Sequence, residues 1–403
     1  MLKKKTKNGF KIMYSLVLAL IYVAFVSLGL PDSLLGSAWP IMREELGAPL
    51  SAAGVITMII AGGTILSSLF SDKLTRKLGA GLVTAISVAL TALALLGFSF
   101  ADKFWILCVL AVPYGLGAGA VDAALNNYAA LHYSSRQMNW LHAFWGLGVT
   151  ISPAIMSYCL TNQFGWQMGY RSVSVIQIVL TVILFASVPL WQKRMEEGSD
   201  DIGEASSGKS LSVFDALKIK GAPLILLAFF AYCALETTCG LWATSYLVGF
   251  RGIDAETAAR FASLFYIGIT AGRILNGFIA DKLGDRKMIR MGIIILGAGI
   301  VLVALPVSLN AISLIGLVII GFGAAPIYPS IIHSTPDNFG KENSGALVGI
   351  QMASAYLGST FMPPVFGLIA EHISIGLYPL YLGIFAVMMF VMTELVNNKV
   401  NQK

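Results

Sequence analysis

Twelve apolar stretches, each about long enough to cross a bilayer at ~20 residues per span, fill this 403-residue chain. They run over roughly 12–36, 50–71, 80–101, 104–131, 138–162, 169–192, 222–249, 256–280, 288–308, 311–333, 343–370 and 374–396. With 57% hydrophobic and 12% charged residues, too little polar surface remains to cover a soluble globule of this size. In lipid every backbone polar group must be satisfied internally, so runs of this length predict an all-α membrane protein of twelve transmembrane helices.

Charge sets the expected orientation. If the N-terminus is cytoplasmic, the inside segments hold 21 Lys and Arg and the outside segments hold five, with Arg273 alone inside a span. Both termini are therefore expected in the cytoplasm, with the chain multi-pass in the cytoplasmic membrane. The net charge of +6 reads as topology, not as a nucleic-acid surface. Lys3, Lys4 and Lys5 before an apolar run imitate a secretory signal, but the run is too long and eleven spans follow, so it is expected to be retained. Cys108, Cys159, Cys233 and Cys239 all fall within spans, and neither a disulfide nor a metal site is expected.

The chain repeats itself. Ser68-Leu-Phe-Ser-Asp72-Lys73-Leu74-Thr-Arg76-Lys77 is answered about 209 residues later by Gly277-Phe-Ile-Ala-Asp281-Lys282-Leu283-Gly284-Asp285-Arg286-Lys287. Asp32-x-x-x-Gly36 is answered by Glu236-x-x-x-Gly240, and Gly115-x-Gly117-x-Gly119 by Gly321-x-Gly323-x-Ala325. A duplicated unit with an acid at one place in both copies suggests two halves and a site between them. The expected division is an N-terminal six-helix bundle over 1–192, a cytoplasmic linker over 193–221 and a C-terminal bundle over 222–403. The linker contains Gly203-Glu-Ala-Ser-Ser-Gly208-Lys209-Ser210, which matches the phosphate-loop pattern. It lacks the strand and helix that motif requires, so ATP binding is not expected.

Ionisable groups in mid-membrane cost about 3 kcal/mol or more, so each requires a reason. Asp32 lies in Gly29-Leu-Pro31-Asp32-Ser-Leu-Leu-Gly36-Ser-Ala-Trp39-Pro40, where positions 32, 36 and 39 share a helical face. The fourth span places Asp122 and Asn126 on one stripe, with Asn127 beside it. The fifth carries Asn139, His142 and Gly146 on one face and Trp145 a turn from His142. Carboxylates and amides take the hydroxyls of a sugar, and an indole stacks on its apolar face. Glu236 is the repeat partner of Asp32, about 21 Å into the seventh helix. Trp242, Tyr328 and Gln351 are weaker candidates for the same site. Asp32, Asp122 and Glu236 are the expected proton-coupling acids. Asp72, Arg76, Asp281 and Arg286 in the two loops, with Arg273, are the expected gating groups. Breaking a carboxylate–cation latch at a helix end would let a bundle rock.

The parallel repeat and the paired Asp-Lys-Leu loops resemble the major facilitator superfamily over the whole chain. Four segments narrow the resemblance: GLPDxxxGxxWP, GxGxGxxDxxxN, NWxHxxWGxGxxxxP and LExxxGxWxxxY look like the fucose:proton symporter family and its glucose-transporting relatives. That resemblance implies substrate or proton roles for Asp32 and Asp122 and a sugar contact for Asn126. The chain departs from the family pattern with Asp at 122 in place of Glu and with Asn127 after the amide.

The resulting expectation is a monomeric secondary carrier and not an enzyme. It moves a monosaccharide or similar polyol by alternating access with proton coupling, and it has the lipid bilayer as its surroundings and no nucleic-acid partner. No cofactor is expected beyond the coupling ion. Two rivals stand beside it. One is a drug:proton antiporter, since Gly146-x-Gly148 to Pro153 resembles a glycine-proline motif of such exporters; the other is a membrane sensor that binds without transporting.

Overall fold

A computed structural model describes residues 2–49, 52–197, 211–306 and 310–400. The phosphate-loop look-alike and most of the linker lie outside the described residues. The helices are α1 (Leu2–Asp32), α2 (Leu34–Glu45), α3 (Ala52–Leu78), α4 (Ala80–Phe98), α5 (Phe104–His132), α6 (Ser135–Thr161) and α7 (Gly165–Glu197). After the short α8 (Val213–Leu217) come α9 (Ala222–Gly249), α10 (Ala255–Leu283), α11 (Asp285–Ala304), α12 (Asn310–Ala324), α13 (Ile327–His333), α14 (Thr335–Phe339), α15 (Lys341–Ile369) and α16 (Tyr378–Val400).

Twelve crossings emerge from these pieces. α1 and α2 form one apolar stretch, Met13–Glu45, and α12 and α13 form another, Ala311–His333. α15 and α16 lie in one 60-residue apolar stretch, parted by a π turn (Ala370–Ser374) and a 3-10 turn (Ile375–Leu377). α10 matches the others in length at 29 residues while carrying Arg273 and Asn276 within it.

By its internal contacts the chain divides into two units. One comprises 1–128 with 144–211, and the other 129–143 with 212–403. The first part of α6 therefore belongs with the second unit and the remainder with the first.

Each unit is sewn by the same glycine device. A Cβ placed on Gly115 would stand 2.2 Å from the carbonyl oxygen of Ile60, and one on Gly321 would stand 2.2 Å from that of Phe265. Only hydrogen at these positions lets the backbones of α3 and α5, and of α10 and α12, approach so closely. The two contacts differ by 206 and 205 residues, so the sequence repeat is also a repeat of packing.

Ser68, where the second copy has Gly277, is fully buried. Its hydroxyl donates to the carbonyls of Thr64 at 2.8 Å and Gly119 at 3.2 Å, so the polar side chain is satisfied across the α3–α5 seam.

Candidate functional site

In the first unit, α1 and α6 cross on two glycines. A Cβ on Gly29 would meet the Trp145 carbonyl oxygen at 2.2 Å, and one on Gly148 would meet that of Val26 at 2.2 Å. Just beyond this crossing, Trp145 Nε1 donates to Oδ2 of Asp32 at 3.0 Å. Ser33 secures the same crossing, donating to the Val149 carbonyl at 2.8 Å and lying 2.9 Å from the Ser152 hydroxyl.

Pro31 cannot donate to the carbonyl of Ser27. That orphaned oxygen is taken by Gln177 Nε2 at 2.7 Å, which ties α7 to the break that presents Asp32. Asp32 and Gly36 are exposed, whereas Trp39 is 4% exposed and packs edge-on against Phe104 at 6.4 Å. The expected shared face of residues 32, 36 and 39 is thus corrected. The helix is interrupted between α1 and α2 at Ser33, and the turn sends the indole of Trp39 into the core of the first unit.

Asn126 is fully buried and donates from Nδ2 to Oδ1 of Asp122 at 2.8 Å and to the Asp122 carbonyl at 3.0 Å. Asp122 and Asn127 are half-buried, and Asp122 lies within electrostatic reach of Asp32. The first unit therefore brings Asp32 to Trp145 and Asp122 to Asn126; spacing predicted the second pairing and not the first.

A different group gathers in the second unit. Arg273, 3% exposed, places Nη2 3.6 Å from Oε1 of Glu236, and Tyr232 lies beside both charges. The Arg273 Nη1 also faces the His142 carbonyl at 3.5 Å. The His142 ring meets Tyr328 edge-on at 4.7 Å, and Tyr328 packs in turn on Phe229 and Tyr232. Arg273, expected among the gating groups, is engaged by the half-buried Glu236 rather than by a loop carboxylate.

Asn139 and His142 are parted from Trp145 although they share its helix. Residues three apart on a helix lie within about 60° of each other, so the separation comes from their neighbours: Asn139 and His142 belong to the second unit and Trp145 to the first. Among the described residues, buried polar atoms here with unused hydrogen-bonding capacity include Asn139 Oδ1, Thr238 Oγ1, Asn276 Nδ2 and Gln351 Nε2. Gln351 Oε1 accepts from Thr335 at 3.1 Å. Trp242 stands apart from this group. Its Nε1 donates to the Pro363 carbonyl at 2.9 Å and its ring meets Phe366, which ties α9 to α15.

The loop residues also divide. Asp72 accepts Arg76 Nε at 3.0 Å on both oxygens within α3, a local i,i+4 pair. Asp281 instead receives the backbone N–H of Arg136 at 2.8 Å, with Arg136 Nε at 3.3 Å and the Ser134 hydroxyl at 3.3 Å. A carboxylate at the first turn of α6 satisfies an amide that the helix leaves unpaired. Gly277 permits this arrangement, because a Cβ there would fall 2.2 Å from Nε1 of Trp140, which lies flat against α10. Arg286 is exposed.

Asp285 and Trp140 stand inside the sequence motifs and His333 is an ionisable group near a span end, but spacing assigned none of them a role, and it did not point to Tyr232 or Asn276. Asp285, four residues after Asp281, was the nearest available signal.

The family model of the Major Facilitator Superfamily matches residues 21–262 and again 224–399. Among solved structures, FucP, the fucose:proton symporter of E. coli, in the outward conformation, superposes with a TM-score of 0.79. It is 17% identical, with 95% of this chain and 99% of that chain covered. Two Bacillus subtilis relatives are each 23% identical: a hexuronate transporter, covering 88% of both chains, and the glucose/mannose transporter GlcP, covering 76% of this chain and 77% of that one. Duplicated glycine seams, a paired acid–tryptophan crossing and two matches of one family model agree, and the chain belongs to the Major Facilitator Superfamily.

Proposed function

We propose that this chain is a secondary active carrier that moves a monosaccharide or similar polyol across the cytoplasmic membrane by proton-coupled symport. The observation that carries the reading is a charge imbalance. Among the described residues, Asp32, Asp122 and Glu236 stand mid-span with Arg273 as the one guanidinium at comparable depth, and Glu236 already engages it. An excess of carboxylates takes up protons and repels anionic cargo. The buried amides of Asn139, Asn276 and Gln351, each with an unused donor or acceptor, suit a cargo rich in hydroxyls.

Loading a proton onto Asp32 or Asp122 removes a charge from the first unit. Removing it shifts the balance between outward-open and inward-open states, and the Asp32–Trp145 bond is the contact through which the change is felt on α6. Both termini would face the cytoplasm.

The test is uptake of labelled monosaccharides into proteoliposomes under an imposed inward proton gradient. Uptake should follow the gradient and disappear in Asp32→Asn. Uptake that persists after a protonophore collapses the gradient removes the proton. Uptake of hexuronates but of no neutral sugar removes the polyol and assigns the cargo to organic anions.

A further inference from the structure

Both ring nitrogens of His333 face acceptors. Nδ1 lies 2.6 Å from Oδ2 of Asp285, and Nε2 lies 2.9 Å from the carbonyl oxygen of Tyr133. A carbonyl oxygen cannot donate, and neither can an ionised carboxylate. A neutral imidazole carries one N–H and would set a lone pair against one of these partners, whereas the doubly protonated ring satisfies both. If the shared proton sits on Asp285 instead, the count is unchanged, and the bridge still contains one exchangeable proton beyond neutral His and ionised Asp.

The other oxygen of Asp285 receives the Ser135 hydroxyl at 2.8 Å. Two of these three bonds reach residues 133–135, where the chain enters α6, and the next residue is Arg136, whose amide Asp281 holds. None of the four groups belongs to the mid-span acids on which the proposed transport rests.

We propose that His333, Asp285 and residues 133–135 form a proton-dependent clasp on the first turn of α6, one that closes when the proton is bound and restrains the carrier's conformational cycle. α6 is divided between the two units, and its first turn, on the side of the second, is what the clasp holds. Asp281, Asp337, Arg136 and His132 are the other charged or titratable groups around this point. Histidine is the side-chain type that ordinarily gains or loses a proton near neutral pH, so the exchangeable proton of the His333–Asp285 bridge is the one that responds there. The sign follows: acid tightens the clasp and alkali releases it. With the termini cytoplasmic, an acidified cytoplasm would slow the carrier that brings protons in, which is negative feedback.

Hydrogen–deuterium exchange of the full chain in nanodiscs reads the clasp without knowledge of the cargo. Corrected for the intrinsic pH dependence of exchange, amides of residues 135–141 should be protected about tenfold or more at about pH 6 relative to pH 8.5, as befits loss of a charge-assisted hydrogen bond. His333→Gln and Asp285→Asn should each leave weak, pH-independent protection, while His132→Gln keeps the response. Either variant suffices should the other fail to fold. Wild-type protection that is flat across this range overturns the proposal, as does a pH response that survives in His333→Gln or vanishes only in His132→Gln.

Discussion

The Glu236–Arg273 pair offers the sharpest energetic test. At 3.6 Å and an effective dielectric of about 20, the attraction is on the order of 5 kcal/mol. Desolvation consumes much of that, because Arg273 is 3% exposed, while Glu236, at 19%, retains some contact with solvent. Removing one partner leaves the other charge buried without compensation, a loss of about 3–5 kcal/mol. Arg273→Gln should sit at the lower end, since the half-buried carboxylate can be neutralised by a proton. Glu236→Gln should be the costlier change, since a guanidinium cannot deprotonate. The double variant pairs two amides and should recover a large part of the loss. In a double-mutant cycle, measured by reversible unfolding in mixed micelles, the coupling should exceed about 1.5 kcal/mol. Additivity within about 0.5 kcal/mol would show that the two charges do not depend on each other and would refute the reasoning.

Gly148→Ala should drive α1 from α6, because its Cβ would meet the Val26 carbonyl oxygen at 2.2 Å, and should abolish transport, while Leu147→Ala at the exposed neighbouring position leaves it intact. Trp145→Phe keeps the ring and removes the donor to Asp32, and uptake should fall at least about tenfold for the loss of one charge-assisted bond, with thermal stability nearly unchanged. Ser68→Ala should cost about 1 kcal/mol or more, since it strips the bond to the Gly119 carbonyl; an unchanged melting temperature would remove that seam from the account. In α8, hydrogen bonds from Lys218 and then Ser212 hold the Asp215 carboxyl below its ordinary range. A depressed value means its contribution is present above the unfolded value of about 3.9 and is lost as pH falls through the folded one. Amide protection of this short helix should therefore decline only in acid, and Lys218→Gln should move the decline to higher pH.

Local chemistry made much of this protein legible in its sequence. Long apolar runs cannot leave lipid or lie there unpaired, so hydropathy gives the crossings apart from α10, whose length and place in the repeat supply it. The glycines repeating at about 206 residues marked a duplication, and the structure gives them a packing role in both units. Asp122 and Asn126, four residues apart on one helix, had to meet, and they do.

Tertiary structure decided what helical spacing cannot express. Trp39 shares a face with Asp32 only on an unbroken helix, and the interruption at Ser33 turned it into the core. His142 and Trp145 are three residues apart, yet Arg273 and Tyr328 claim the surroundings of one and Asp32 the hydrogen bond of the other. Asp281 was visible as a loop acid, but its partner is an amide 145 residues upstream in the chain. Periodicity fixes which residues face the same way on one helix. Which partner meets that face depends on distant segments that compete for it through packing and hydrogen bonds.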